Sequence, residues 1–202
     1  MFLRVLAGVR VAASAIVIPL FPFLYREHYF VLALLRPSPT VLAGGGFRAR
    51  QTGVGLWQVA VAGIPMQILA VWLYFAIGRA WTKEIDRDDR LPLVAARFLP
   101  ARRIKELRNV LKKRGTLVVF LSRFAIVPVG LVATAAGAAK LEPRRYMRTD
   151  AIAAALQAGL AIGAGYLLGF AADEANPWVV VLGAVGLVAF SAIFTLLWRR
   201  IK

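Results

Sequence analysis

Three stretches of the chain carry no charged residue: 51–78, 151–172 and 175–198, of 28, 22 and 24 residues. A helix needs about 20 consecutive apolar residues to cross a bilayer core, so these runs predict spanning helices at 56–77, 151–172 and 177–198. Composition agrees. Sixty per cent of the 202 residues are hydrophobic, yet 26 Lys and Arg stand against 10 Asp and Glu, for a net charge of +16. Mean hydropathy is +0.69. Soluble domains run nearer about 45–50% apolar, which excludes a water-soluble core. The apolar runs equally exclude a basic chain that coats nucleic acid. The expectation is an all-α polytopic membrane protein.

Missing residue types remove whole classes of chemistry. With no cysteine there is no disulfide framework, thiolate metal site or Cys nucleophile. The only histidine, His28, sits between Glu27 and Tyr29 and offers an imidazole metal site no second histidine. It reads as an interfacial side chain rather than a catalytic base. No metal and no cofactor are expected, and the chain is not expected to be an enzyme.

The remaining apolar segments are shorter or broken. Residues 11–25 hold Pro19 and Pro22 and follow Arg4 and Arg10; without a small-x-small cleavage site they read as a retained, kinked first helix. Segment 29–47 is interrupted by Arg36, Pro37, Pro39 and Gly44-Gly45-Gly46, and segment 117–139 by Arg123, Pro128, Gly130 and Gly137. Non-helical backbone at membrane depth must be buried in protein or line a cavity. Each segment is therefore expected to be a helical hairpin that enters the bilayer and returns to the same side.

Charge parity supports that topology. Basic residues favour the cytoplasmic side, and residues 79–114 hold 12 Lys and Arg against 5 acids. If 117–139 is re-entrant, Lys140, Arg144, Arg145, Arg148, Arg199, Arg200 and Lys202 remain on the same side as that loop. Together with Arg4 and Arg10, 21 of the 26 basic residues then lie inside. A full span at 117–139 would push the last two clusters out. The expected organisation is one membrane domain: an N-terminal helix (1–28), a first hairpin and span (29–78), a basic amphipathic loop (79–115), a second hairpin and span (116–172) and a C-terminal span (173–202). The expected location is the inner membrane, with both termini cytoplasmic. The halves also repeat: Gly45 to Tyr74 and Gly137 to Tyr166 are both 29 residues, and parity makes the repeats inverted. Paired broken segments in two such halves point to a transport site near the midplane.

The second half reads Phe120-Leu-Ser-Arg-Phe-Ala-Ile-Val-Pro-Val-Gly130, then Ala136-Gly137, then Lys140-Leu-Glu-Pro-Arg-Arg-Tyr146. This resembles the DedA family (the VTT, or SNARE-associated Golgi protein, domain), in its Arg-Phe start, an Ala-Gly pair fourteen residues on and a basic-aromatic patch. Pro37-Ser-Pro-Thr-Val-Leu-Ala-Gly44 is similar to the family's Pro-rich hairpin tip, and Tyr74-Phe-Ala-Ile-Gly-Arg79 to its helix ending. The resemblance covers roughly residues 30–170. It implies two opposed re-entrant hairpins and a flippase- or scramblase-like transporter of anionic lipid, such as undecaprenyl phosphate or a phospholipid. Some members use membrane-embedded carboxylates for proton coupling. At those positions this chain has Pro39 and Ala70, and the family's second Arg is Val129.

Individual residues fit that frame. A charge at the bilayer centre costs about 2.5–3.5 kcal/mol, and guanidinium binds phosphate bidentately. Arg123 and Arg36 are therefore the expected ligands of a lipid phosphate; the competing reading is that they cap hairpin carbonyls or snorkel. Pro37, Pro39, Gly44, Gly45, Pro128, Gly130 and Gly137 are expected at hairpin tips and hinges. Arg79, Lys140, Arg144 and Arg145 are candidate interfacial headgroup contacts. Asp150 and Glu142 are the carboxylates to which any proton coupling would be linked, although Asp150 more simply pairs with a nearby Arg. Ile104, Leu107 and Leu111 give residues 101–114 an apolar stripe, expected to lie in the headgroup plane. Gly159/Gly163 and Gly165/Gly169 suit small-x-x-x-small helix packing rather than dinucleotide binding, and Gln67 and Gln157 are expected to bond between helices. The partners are anionic membrane lipids, not nucleic acid, and a homo-oligomer is possible. The rival reading is a non-transporting scaffold that organises anionic lipid or a partner protein. A membrane phosphatase lacks an evident nucleophile and base.

Overall fold

Proline withholds an N–H and fixes φ, so it favours the first turn of a helix, and several boundaries here follow it. The computed structural model describes residues 16–17, 19–83, 101–125 and 127–173, with single positions 178, 181, 185, 188, 192 and 196. The expected span at 177–198, the chain before residue 16 and loop 84–100 lie essentially outside the described residues. Residues 19–27 are helical. After them come α1 (Tyr29–Leu35), α2 (Pro39–Thr52), α3 (Leu56–Ala80), α4 (Ala101–Ser122), α5 (Val129–Ala138) and α6 (Pro143–Asp173). No strand occurs among the described residues.

Pro39 opens α2 behind Ser38, whose hydroxyl accepts from Val41 N–H at 3.3 Å. Pro128 is the N-cap of α5 and Pro143 the first residue of α6. Pro65 lies inside α3, a position that membrane helices tolerate better than soluble ones. The end of α5 is closed by a pair of crossed bonds, Leu141 N–H to Ala136 O at 3.2 Å and Lys140 N–H to Gly137 O at 3.0 Å. This is the Schellman pattern. Its left-handed position is filled by Lys140 (φ 57) where glycine is usual.

Among the described residues two helices, α3 and α6, are long and apolar enough to cross a membrane. Several of their large side chains face outward: Trp57 is 67% exposed, Ile152 64% and Leu167 63%. Exposed apolar side chains on this scale are read as facing lipid or a partner rather than water. The expected span at 151–172 begins eight residues earlier than the charge-free run, at Pro143. Arg, Tyr and Met are adequate helix formers, so charge content marks where the membrane ends, not where the helix does.

The chain divides into two compact units, residues 1–67 with 154–189, and residues 68–153 with 190–202. In the first, Leu32, Ala33, Val41, Leu42, Val59 and Ala158 form a buried core. In the second, Phe75, Ile104, Leu107, Leu111, Val118, Val132 and Ala136 do so. This corrects the expected headgroup-plane helix. Ile104, Leu107 and Leu111 are buried against protein, and α4 continues through a non-helical Arg114 (φ −134, ψ 35) to Ser122. Periodicity revealed an apolar stripe, and protein rather than lipid covers it.

Each unit contains one helix crossing of the same kind. In the first, a Cβ on Gly46 of α2 would overlap the Ile162 carbonyl of α6, and one on Gly165 of α6 would overlap the Ala43 carbonyl of α2. In the second, a Cβ on Gly137 of α5 would overlap the Phe75 carbonyl of α3, and one on Gly78 of α3 the Thr134 carbonyl of α5. Backbone meets backbone reciprocally, as small residues allow in membrane helices. The equivalence therefore pairs Gly46 with Gly137 and Gly78 with Gly165. The spacing match of Gly45–Tyr74 with Gly137–Tyr166 has the wrong register, because the repeated contact is made by glycines and not by tyrosines. Gly169 also packs, beside Phe47 and Arg50, whereas no described residue lies within 4 Å of a Cβ placed on Gly159 or Gly163. Among the described residues only the second of the two small-residue pairs is used.

Candidate functional site

The chain leaves α4 through tight turns: Arg123 N–H donates to Phe120 O, Phe124 and Ala125 N–H to Leu121 O, and Val127 N–H to Ala125 O. Pro128, unable to donate, then starts α5. This break brings Arg123 to Asp150, in the second turn of α6. Arg123 Nε donates to Asp150 Oδ1 at 2.8 Å and Nη2 to Oδ2 at 2.7 Å. Both side chains are 1% exposed. Fork-to-fork geometry of this kind is the strongest arrangement of the two groups. One turn earlier on α6, Tyr146 is buried and stacks on Phe75 with ring centroids 4.3 Å apart.

Arg123, expected as a ligand of a lipid phosphate, holds Asp150 in this structure. Its Nε and one Nη already serve Asp150. Of the two anticipated uses of Asp150, pairing with an arginine is the one present. Glu142, the other carboxylate considered, is exposed at the start of α6. Arg36 is exposed in the break between α1 and α2, away from any burial that would demand a partner.

The expected hinge residues separate into two groups. Pro37, Pro39 and Pro128 do sit at breaks. Gly44 and Gly45 are helical, in the middle of α2, beside the rings of Tyr25 and Tyr29. Gly130 and Gly137 are likewise within α5, against Tyr74 and the Phe75 carbonyl. These four are contact positions rather than hinges, since the prolines already supply the turns. Tyr25 and Tyr29 hydroxyls donate to Gly44 O at 3.0 Å and Val41 O at 2.8 Å, tying the first hairpin to itself. Arg48 donates to the carbonyls of Tyr25 and Arg26, a capping role that sequence spacing did not reveal.

The interfacial candidates are all exposed: Arg79 in the last turn of α3, Lys140 after α5, and Arg144 and Arg145 in the first turn of α6. Gln67 Nε2 donates to Gln157 Oε1 at 3.4 Å, a long bond that joins α3 to α6 as expected. No cluster of His, Cys, Asp and Glu suited to a metal occurs among the described residues.

Neither the curated proteins nor the solved structures include a match to this chain. The VTT domain, the domain of the DedA family, matches residues 36–167. That interval covers well over half the chain and contains α2, the second helix–break–helix segment, both long helices up to Leu167, and the Arg123–Asp150 pair. A membrane protein with this helical order and this domain match belongs to the VTT-domain (DedA) family, whose members are generally linked to membrane lipid transport.

Proposed function

We propose that the protein moves an anionic, phosphate-bearing lipid between leaflets, breaking no bond and using no cofactor. The observation that carries this reading is the buried Arg123–Asp150 pair at the break between α4 and α5. Two charges taken out of water are expensive, and ionisable groups within membrane segments mark transport pathways more often than scaffolding. The guanidinium fork that now holds a carboxylate suits a phosphate equally well. A lipid phosphate can therefore take the place of Asp150 on Arg123 while its acyl or prenyl chains stay in the bilayer. In this reading α1–α2 and α4–α5 are re-entrant hairpins of opposite orientation in an inner membrane, both termini are cytoplasmic, and the substrate is a polyprenyl phosphate or a phospholipid.

The test is leaflet accessibility in liposomes that carry a fluorescent polyprenyl phosphate or phospholipid, with an external quencher. Wild type is expected to expose the inner-leaflet lipid, and the charge-free double variant Arg123→Gln/Asp150→Asn is expected to behave as empty liposomes do while remaining folded. If the double variant exposes lipid at the wild-type rate, the pair has no part in transport. If wild type matches empty liposomes for both lipids, with and without a pH gradient, the transport reading falls and the scaffold takes its place.

A further inference from the structure

The second unit holds a cavity of about 440 Å³ lined by the stretch around the non-helical Arg114 and by the first turns of α6. Four cations line it: Lys112, Lys113, Arg114 and Arg145. None of the four is ion-paired among the described residues. The hydroxyl-bearing Thr116 and Thr149 also line it, and Glu142 is its single acid among the described residues. Leu117, Val119 and Leu141 give the same cavity an apolar lining.

We propose that this cavity binds a phosphate monoester. Three positive charges remain after Glu142 is counted, which suits a group able to carry two negative charges better than a phosphodiester carrying one. A zwitterionic headgroup would bring its own ammonium among four cations and is disfavoured. Its volume falls within the range of about 300–1,000 Å³ that holds small ligands rather than bare ions, and the leucines and valine offer a place for the first methylenes of a chain. The ligand is thus a phosphate monoester borne on an alkyl or prenyl chain, or free in solution, and the test separates these sources. The lipid-borne case rests on the transport reading above and would give that transport a capture site for its headgroup.

The experiment is equilibrium binding to the full-length protein in phosphatidylcholine nanodiscs, with dodecyl phosphate, dodecylphosphocholine and inorganic phosphate as probes. Dodecyl phosphate is expected to bind and to lose about tenfold or more in affinity in Lys113→Gln/Arg145→Gln, as expected when charge-assisted bonds are removed. Both positions are exposed, so folding should survive. Lys83→Gln, an exposed cation that does not line the cavity, is expected to bind as wild type does. Unchanged affinity in the cavity variant, or an equal loss in Lys83→Gln, overturns the site in favour of general surface charge. Inorganic phosphate binding as tightly as dodecyl phosphate, with the same loss in the cavity variant, assigns the site to free phosphate. Dodecylphosphocholine binding equally well overturns the monoester assignment. Should wild type bind dodecyl phosphate here and yet move no lipid in liposomes, the cavity stands and the transport reading fails; the converse result separates them the other way.

Discussion

Replacing Arg123 alone strands a carboxylate where water does not reach. With both side chains 1% exposed and two bonds of 2.8 and 2.7 Å, removal of either partner is expected to cost about 3–5 kcal/mol, whereas neutralising both together is often close to neutral. In a chain of this size each kcal/mol moves Tm by about 2–4 °C. Arg123→Gln and Asp150→Asn are therefore each expected to lose on the order of 10 °C in thermal unfolding followed by circular dichroism in detergent micelles. The double variant is expected to return to within a few degrees of wild type, because neither amide leaves a buried charge. That non-additivity is the quantity to measure. It should also be insensitive to salt, since buried pairs are screened little. Two single losses below about 1 kcal/mol each that simply add in the double variant would be the signature of a solvated surface pair, and would refute both the burial argument and the role built on it.

Four further substitutions test the helix contacts and caps. Gly165→Ala drives a methyl into the Ala43 carbonyl and is expected to cost at least about 1–3 kcal/mol. Gly163→Ala, two residues away with no described residue against it, is expected to be neutral or stabilising by up to about 1 kcal/mol in the same melts; equal behaviour of the two would refute the proposed crossing. Lys140→Gly removes a left-handed side-chain residue from the Schellman turn and is expected to gain about 1 kcal/mol, read as a raised Tm. Ser38→Ala removes the cap of α2 and is expected to lose about 1 kcal/mol, with amide exchange accelerating first at residues 40–42.

The two long helices were legible because lipid tolerates no charge, and a charge-free run is something a sequence displays directly. The breaks at Pro37–Pro39 and at Pro128 were legible for a similar reason, since a missing N–H is a property of the residue itself. What covers a side chain is not. The stripe of Ile104, Leu107 and Leu111 has the same period whether lipid or the Val118–Val132 core lies over it. The triplet Gly44-Gly45-Gly46 can serve a turn or a close crossing, and only the position of the Ile162 carbonyl decides for the crossing at Gly46. Arg123 was identifiable as costly and therefore purposeful. That its fork closes on Asp150, 27 residues on, depends on how α6 is placed, and no local pattern encodes that placement.

The reciprocal glycine crossings bear on the order in which the molecule can be made. Gly46 leaves the ribosome more than a hundred residues before Ile162, the backbone against which it rests, and Phe75 waits some sixty residues for Gly137. The first hairpin is thus synthesised without its seat and must be held through that interval by whatever accompanies a nascent chain at the membrane. Because each half supplies the long helix on which the other half's hairpin rests, neither half is a self-sufficient folding product, and the protein commits to its native form only when nearly all of it has been translated.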